Sequence, residues 1–375
     1  MKLDKIFIIL GLIVYSSLAF FLGNYSYKLL LVFIGISALI FLITKLHFEP
    51  FLSILIVAII LGLFLGLPAN KLIDSIEKGT GSLLGHLSLI LGLGAMFGKI
   101  LEELGAVEIT AKKMISVFGL KRIQLGLLIA GMCISFSLFF DVAFILVIPI
   151  ILAVAKELKL DKIYLALPAS IGVLTIHALF PPHPSPSIIT KTFNLNMAEV
   201  FYYGLIVAIP TAFIGGLLLT NSNLVKTRVS SDTKEKNISV LKIENQTMST
   251  TFASLLMLLP VLLITIPTIA LAIPNLSETI KAFLTIISNP VTALIISLLI
   301  AIIELMITKG FRIRTIVPLL SQSLKTIAVV LLINGAAGGL KQVLVDSKVT
   351  DEIIRLTNGL NLSPIVISFL VAAIL

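Results

Sequence analysis

Asp141 is the only charged residue between Ile123 and Ala155, and forty residues after it Pro181-Pro182-His183-Pro184 interrupts a second apolar stretch. An ionisable group and a proline-broken backbone are both costly in hydrocarbon, where nothing solvates them. Each points to a buried, water-accessible pathway of the kind a transporter needs. Three roles stand open for Asp141: it carries a coupling proton, it ligates a cation, or it caps a helix end at a turn.

The proline cluster has its own chemistry. Pro181 and Pro182 must end the helix before them, because proline lacks the amide donor and clashes with the preceding turn. Ser185 followed by Pro186 reads as an N-cap with proline at N1, opening a new helix through Ser187, Ile188 and Thr190. A half-helix starting inside the protein offers amides and a positive dipole end to a carboxylate. The alternative is a tight extracellular turn without a ligand.

His177 precedes the break by one turn and His183 lies within it. Histidine titrates near neutral pH, so either can share a coupling proton, meet a substrate carboxylate, or hold the loop by a hydrogen bond. Ser135 and Ser137, one to two turns before Asp141, either donate to a hydroxylated acid or bond their own i−4 carbonyls. Glu304 is expected to form an interfacial ion pair with Lys309, and Cys133 to be a small packing residue. His47 and His86 read as interfacial or packing residues.

The elements that must position these groups are membrane helices. Of the 375 residues 58% are hydrophobic and 13% charged, about half the charged fraction of a soluble domain. Apolar runs long enough to cross ~30 Å of hydrocarbon recur along the chain. They fall at 6–23, 29–45, 50–67, 84–104, 123–140, 142–155, 163–180, 203–220, 252–273, 290–308, 326–345 and 363–375. The fold class is an all-α polytopic membrane protein bound in a lipid bilayer. A net charge of +9 sits in connectors rather than on one face, which argues for membrane orientation and against nucleic-acid binding.

The connectors 221–249 and 309–325 carry an excess of basic residues, and both are assigned to the cytoplasm. Counting back from them, Lys112 to Arg122 and Lys156 to Lys162 fall on the same side. Residues 123–155 must therefore enter and return, as a hairpin or as a crossing plus a re-entrant loop, with Asp141 near the turn.

Gly94-Ala95-x-x-Gly98 recurs as Gly335-Ala336-x-x-Gly339, Ser82-Leu83 as Ser323-Leu324, and Glu49-Pro50 as Asn289-Pro290, all at an offset of 240 or 241. Together these suggest an inverted-repeat secondary transporter. Residues 1–26 form an extra N-terminal helix, retained rather than cleaved as a signal peptide. Residues 27–220 form the first repeat, 221–249 a connector, and 250–375 a second repeat expected to be truncated. Gly92, Gly94, Gly98, Gly335, Gly338 and Gly339 are expected to allow close helix approach. Motifs for an intramembrane protease or acyltransferase are not found, and no cofactor is implied.

At Phe139-Phe140-Asp141-Val142 with Val147-Ile148-Pro149, at His177-x-x-x-Pro181-Pro182-His183-Pro184, and at Lys341 to Ser347, the chain closely resembles the gluconate permease family. The resemblance runs from about Tyr27 to Leu375 and implies a bacterial inner-membrane symporter of gluconate or a related hydroxy acid with protons. The broader group implies a homodimer. Ser185 stands where the family commonly has glycine, and the family's C-terminal region is expected to be missing. The readings left beside gluconate transport are another small carboxylate, such as glycerate or a D-amino acid, and an inactive remnant of such a transporter.

Overall fold

The structure, a computed structural model, describes residues 27–222 and 248–359 except 139, 159, 182, 194, 196, 272 and 274, together with 365, 366 and 369. The expected helix within 1–26, most of the connector 221–249 and most of the span 363–375 lie outside the described residues. Every regular element among those described is helical.

In chain order these are α1 (Tyr27–Thr44), α2 (Pro50–Phe64), α3 (Ala69–Leu104), α4 (Ala106–Phe118) and α5 (Ile123–Ser135). Next come α6 (Phe140–Leu158), α7 (Lys162–Leu179), α8 (Pro184–Thr192) and α9 (Met197–Thr211), the last running on as π-helical turns over Ala212–Leu219. After the connector follow α10 (Thr250–Ala270), α11 (Glu278–Ser288), α12 (Pro290–Lys309), α13 (Ile313–Asp346) and α14 (Val349–Gly359). Among the described residues seven helices are long and apolar enough to cross a membrane.

Two connectors expected from their charge are instead helix. Residues 69–83 belong to α3 and residues 313–325 to α13, which reach 36 and 34 residues. At 1.5 Å per residue each is roughly 50 Å long, well beyond the hydrocarbon thickness. Charged side chains alone do not end a helix; a backbone feature must. Gly105, at φ 73°, follows α3, and Gly310, at φ 66°, separates α12 from α13. The segment with Glu278 and Lys281 is likewise the helix α11.

The starts of α2 and α12 are built alike. Glu49 accepts from the amide of Leu52 at 2.8 Å and Asn289 from that of Val291 at 3.0 Å, each with proline as the first helical residue. Both satisfy an orphan donor of the first turn.

The chain divides into two compact units, residues 1–86 with 329–375 and residues 87–328. In the first, Leu61, Leu65 and Val349 are buried together against Leu29, Val32, Leu340 and Leu344. There α3 and α13 cross closely, since a Cβ on Gly79 would overlap the carbonyl oxygen of Gly338. Gly335 and Gly339 face Thr80, so the close packing expected of these glycines is present. Ser75 and Gln342 both donate to the carboxylate of Asp346, at 2.6 and 2.9 Å, and hold an acid at a helix C-terminus where the dipole disfavours it.

The second unit holds the larger core. Phe97, Ile100 and Leu101 of α3 pack with Ile115 of α4, Leu127 and Ile134 of α5, Val147 of α6, Leu165 and Val173 of α7, and Met257 of α10. Within it α5 and α7 approach to backbone contact. A Cβ on Gly131 would overlap the carbonyl of Ala169, and one on Gly172 the carbonyl of Leu128.

Candidate functional site

Two helices of the second unit are interrupted. The run expected to continue from 123 to 140 stops at Ser135, and α6 begins at Phe140 with Asp141 as its second residue. Opposite this break Gly98 makes room, because a Cβ there would overlap a methyl group of Leu138. The side chain of Asp141 lies outside the described residues.

The other interruption follows α7. Phe180, at φ −119° and ψ 134°, takes the extended conformation that a following proline enforces, while its own amide still reaches the carbonyl of Ile176. Pro181 is buried; Pro182 and the side chain of Pro184 lie outside the described residues. The new helix opens at Pro184, not after Ser185. Its first intrahelical bond runs from the Ser187 amide to the carbonyl of His183 at 3.0 Å, which makes His183 the capping residue and corrects the expected cap at Ser185. Proline suits this first position because its missing amide would have been unpaired there. With Pro184 and Pro186 both lacking an N–H, Ser185 supplies the single amide of the first three helical residues.

His183 joins the two interruptions. Its side chain is 2% exposed, and Nε2 lies 2.7 Å from the main-chain carbonyl of Ser135, the last residue of α5. A carbonyl only accepts, so Nε2 carries the hydrogen and His183 donates to the last main-chain carbonyl of α5. His183 Nδ1 lies 3.2 Å from Nδ1 of His177, with the ring centroids 4.6 Å apart. One hydrogen is therefore shared between the two Nδ1 atoms, and the chain Ser135 carbonyl, His183, His177 is continuous. The ring of Phe140, beside Asp141 in sequence, lies 6.4 Å from that of His177.

Ser135 and Ser137 are buried and bond neither their own i−4 carbonyls nor each other. The Ser135 hydroxyl donates to the Val173 carbonyl of α7 at 2.9 Å, and that of Ser137 donates to the Met257 carbonyl of α10. Each has its hydrogen committed to a neighbouring helix, leaving only lone pairs to offer. Phe180 adds an apolar wall, with its ring 5.4 Å from those of Phe136 and Phe201. Ser187 is 2% exposed and its hydroxyl has no hydrogen-bond partner, while Ser185 is exposed.

Sequence reasoning missed two supports. Gly131 and Gly172 set the α5–α7 approach on which the Ser135 bonds depend; the small residues Ala169, Ser170 and Gly172 on one apolar helix were the available signal. Gln124 is buried, donates to the Tyr164 carbonyl at 3.2 Å and accepts from Asn221 at 2.8 Å, tying α5, α7 and the end of the π-helical turns. The expected pair of Glu304 with Lys309 is not what forms: Lys309 donates to the main-chain carbonyl of Glu103. Residues five apart point ~140° away from each other around a helix, which explains the change of partner.

Long apolar helices with buried polar groups gathered at their interruptions define a multi-pass membrane protein of the transporter class. The model of the GntP family permeases matches residues 27–375, and the chain belongs to that family. It is 38% identical over 359 residues to a gluconate permease of Bacillus subtilis, covering 92% of this chain and 79% of that one. It is 35% identical over 361 residues to a gluconate permease of Pseudomonas aeruginosa (95% and 79% covered). To the Gnt-II system L-idonate transporter of Escherichia coli it is 32% identical over 348 residues (92% and 79%). Membership of a permease family makes this chain a bacterial membrane transporter and not an enzyme.

Proposed function

We propose that this chain carries gluconate or a closely related sugar acid across the inner membrane together with protons. The observation that carries the reading is the bonded chain from the Ser135 carbonyl through His183 to His177, which links both helix interruptions in the apolar interior. Buried titratable groups on broken helices are what a coupled transporter requires and what a purely structural bundle avoids. The relatives named for gluconate and for L-idonate both concern six-carbon polyhydroxy acids, which favours that class over glycerate or a D-amino acid.

In this reading Asp141, at the start of α6, takes the coupling proton, and His177 and His183 share in its transfer. The carboxylate is received at the start of α8, around Ser185 and Ser187, with Pro181, Pro182 and Pro184 holding the backbone open. Ser135 and Ser137 fix the helices that frame the site. Helices α5 and α6 act as the re-entrant hairpin. The inverted repeat is supported by three helix pairs in matching order: α2 with α12, the long α3 with α13, and the short α4 with α14.

Uptake of labelled gluconate into vesicles containing the purified chain, with and without an imposed acid-outside gradient, tests this. Accumulation driven by the gradient supports it; absence of uptake at every gradient refutes it.

A further inference from the structure

Serines and threonines in these helices have a common habit. Ser53, Ser170, Thr175, Thr190, Thr220 and Ser297 each donate to the carbonyl four residues earlier, at 2.7 to 2.9 Å. That bond satisfies a hydroxyl without help from another helix. Thr190 makes it within α8 itself, to the carbonyl of Pro186.

Ser187, one turn earlier in the same helix, does not. The carbonyl four residues before it, that of His183, accepts the Ser187 amide at 3.0 Å, but the Ser187 hydroxyl makes no bond to it. The residue is 2% exposed, and its oxygen has no partner among the described residues. A buried hydroxyl that forgoes an available local bond retains the cost of lost hydration, and such exceptions call for a partner outside the protein. Its place makes the partner's chemistry specific. It lies in the first turn of α8, where the Ser185 amide and the dipole attract a carboxylate. The Ser187 hydroxyl, two residues on from that amide, matches a neutral donor-acceptor group next to the carboxylate.

We propose that Ser187 is the specificity residue for the hydroxyl on the carbon adjacent to the substrate carboxylate, so that the site selects 2-hydroxy acids over acids lacking that group. The proposal rests on the sugar-acid reading above and refines it. Ser185 supplies the amide for the carboxylate, and Ser187 hydrogen-bonds the 2-hydroxyl.

The test compares gluconate with 2-deoxygluconate as inhibitors of labelled gluconate uptake by the wild-type chain, Ser187→Ala and Ser187→Thr. The wild type is expected to prefer gluconate by about tenfold or more, the usual penalty for leaving a buried polar group unmatched. Ser187→Ala should bind gluconate no better than the deoxy acid, with affinity for the deoxy acid unchanged, and Ser187→Thr should restore the preference. Thermal stabilisation of the purified variants by each acid gives the same comparison without turnover. An alanine variant that keeps the wild-type preference overturns the proposal and assigns the hydroxyl to a structural water. So does a wild type that binds both acids equally. A wild-type chain that neither takes up nor is stabilised by gluconate overturns the sugar-acid reading itself.

Discussion

His183 donates from Nε2 to the main-chain carbonyl of Ser135 at 2.7 Å, closing the end of α5 with a side chain from the break after α7. This one bond makes two distant interruptions in the chain a single structural feature. Replacing His183 by alanine would remove this buried hydrogen bond, at a cost of about 1–3 kcal/mol. The purified variant should melt at a lower temperature in detergent, and His183→Gln, which keeps a donor, should recover part of the loss. Equal melting of wild type and alanine variant would remove the bond from the account.

The α5–α7 crossing is the next dependency. Gly172→Ala puts a methyl group against the carbonyl of Leu128, and backbone cannot yield as a side-chain tip can. Overpacking of this kind costs about 1–3 kcal/mol and should displace the Ser135 bonds, so uptake should fall while membrane insertion persists. Gly92→Ala is the control. A Cβ there meets only a methyl group of Leu324 at 3.5 Å, an ordinary contact, and uptake should be unaffected.

Asp141→Asn keeps size and polarity but cannot cycle a proton. On the proposed mechanism the variant should no longer accumulate gluconate when an acid-outside gradient is imposed on vesicles. Gradient-driven accumulation at the wild-type level would transfer the coupling role elsewhere, with the two histidines the first candidates.

Gln124→Leu should destabilise the protein by about 1–3 kcal/mol, since it removes the donor to the Tyr164 carbonyl and the acceptor of one of the two Asn221 amide bonds, the other running to the Leu217 carbonyl. Adding Asn221→Leu should cost less than that change does alone, because the two side chains share one interaction. Strictly additive losses in melting temperature would show that they act separately.

Much of this protein follows from chain chemistry. Apolar length and charge placement identify a polytopic helical membrane protein, since a spanning helix must satisfy its own backbone and keep charge out of hydrocarbon. The rule that proline ends a helix located the break at Pro181, and the repeated caps at Glu49 and Asn289 were readable because capping is local. What lay beyond reach were features that depend on another helix. Charge alone suggested connectors where α3 and α13 continue unbroken, because a charged turn can stay helical when its neighbours and the interface allow it. Ser135 and Ser137 read as donors to a hydroxylated acid or to their own i−4 carbonyls, but the carbonyls of Val173 and Met257 take their hydrogens. His183 looked like a loop residue, and only the approach of α5 to α7 through Gly131 and Gly172 brings its ring onto Ser135. Hydrogen bonds between helices depend on where each backbone carbonyl comes to lie, and that position is set by packing rather than by any residue's own type.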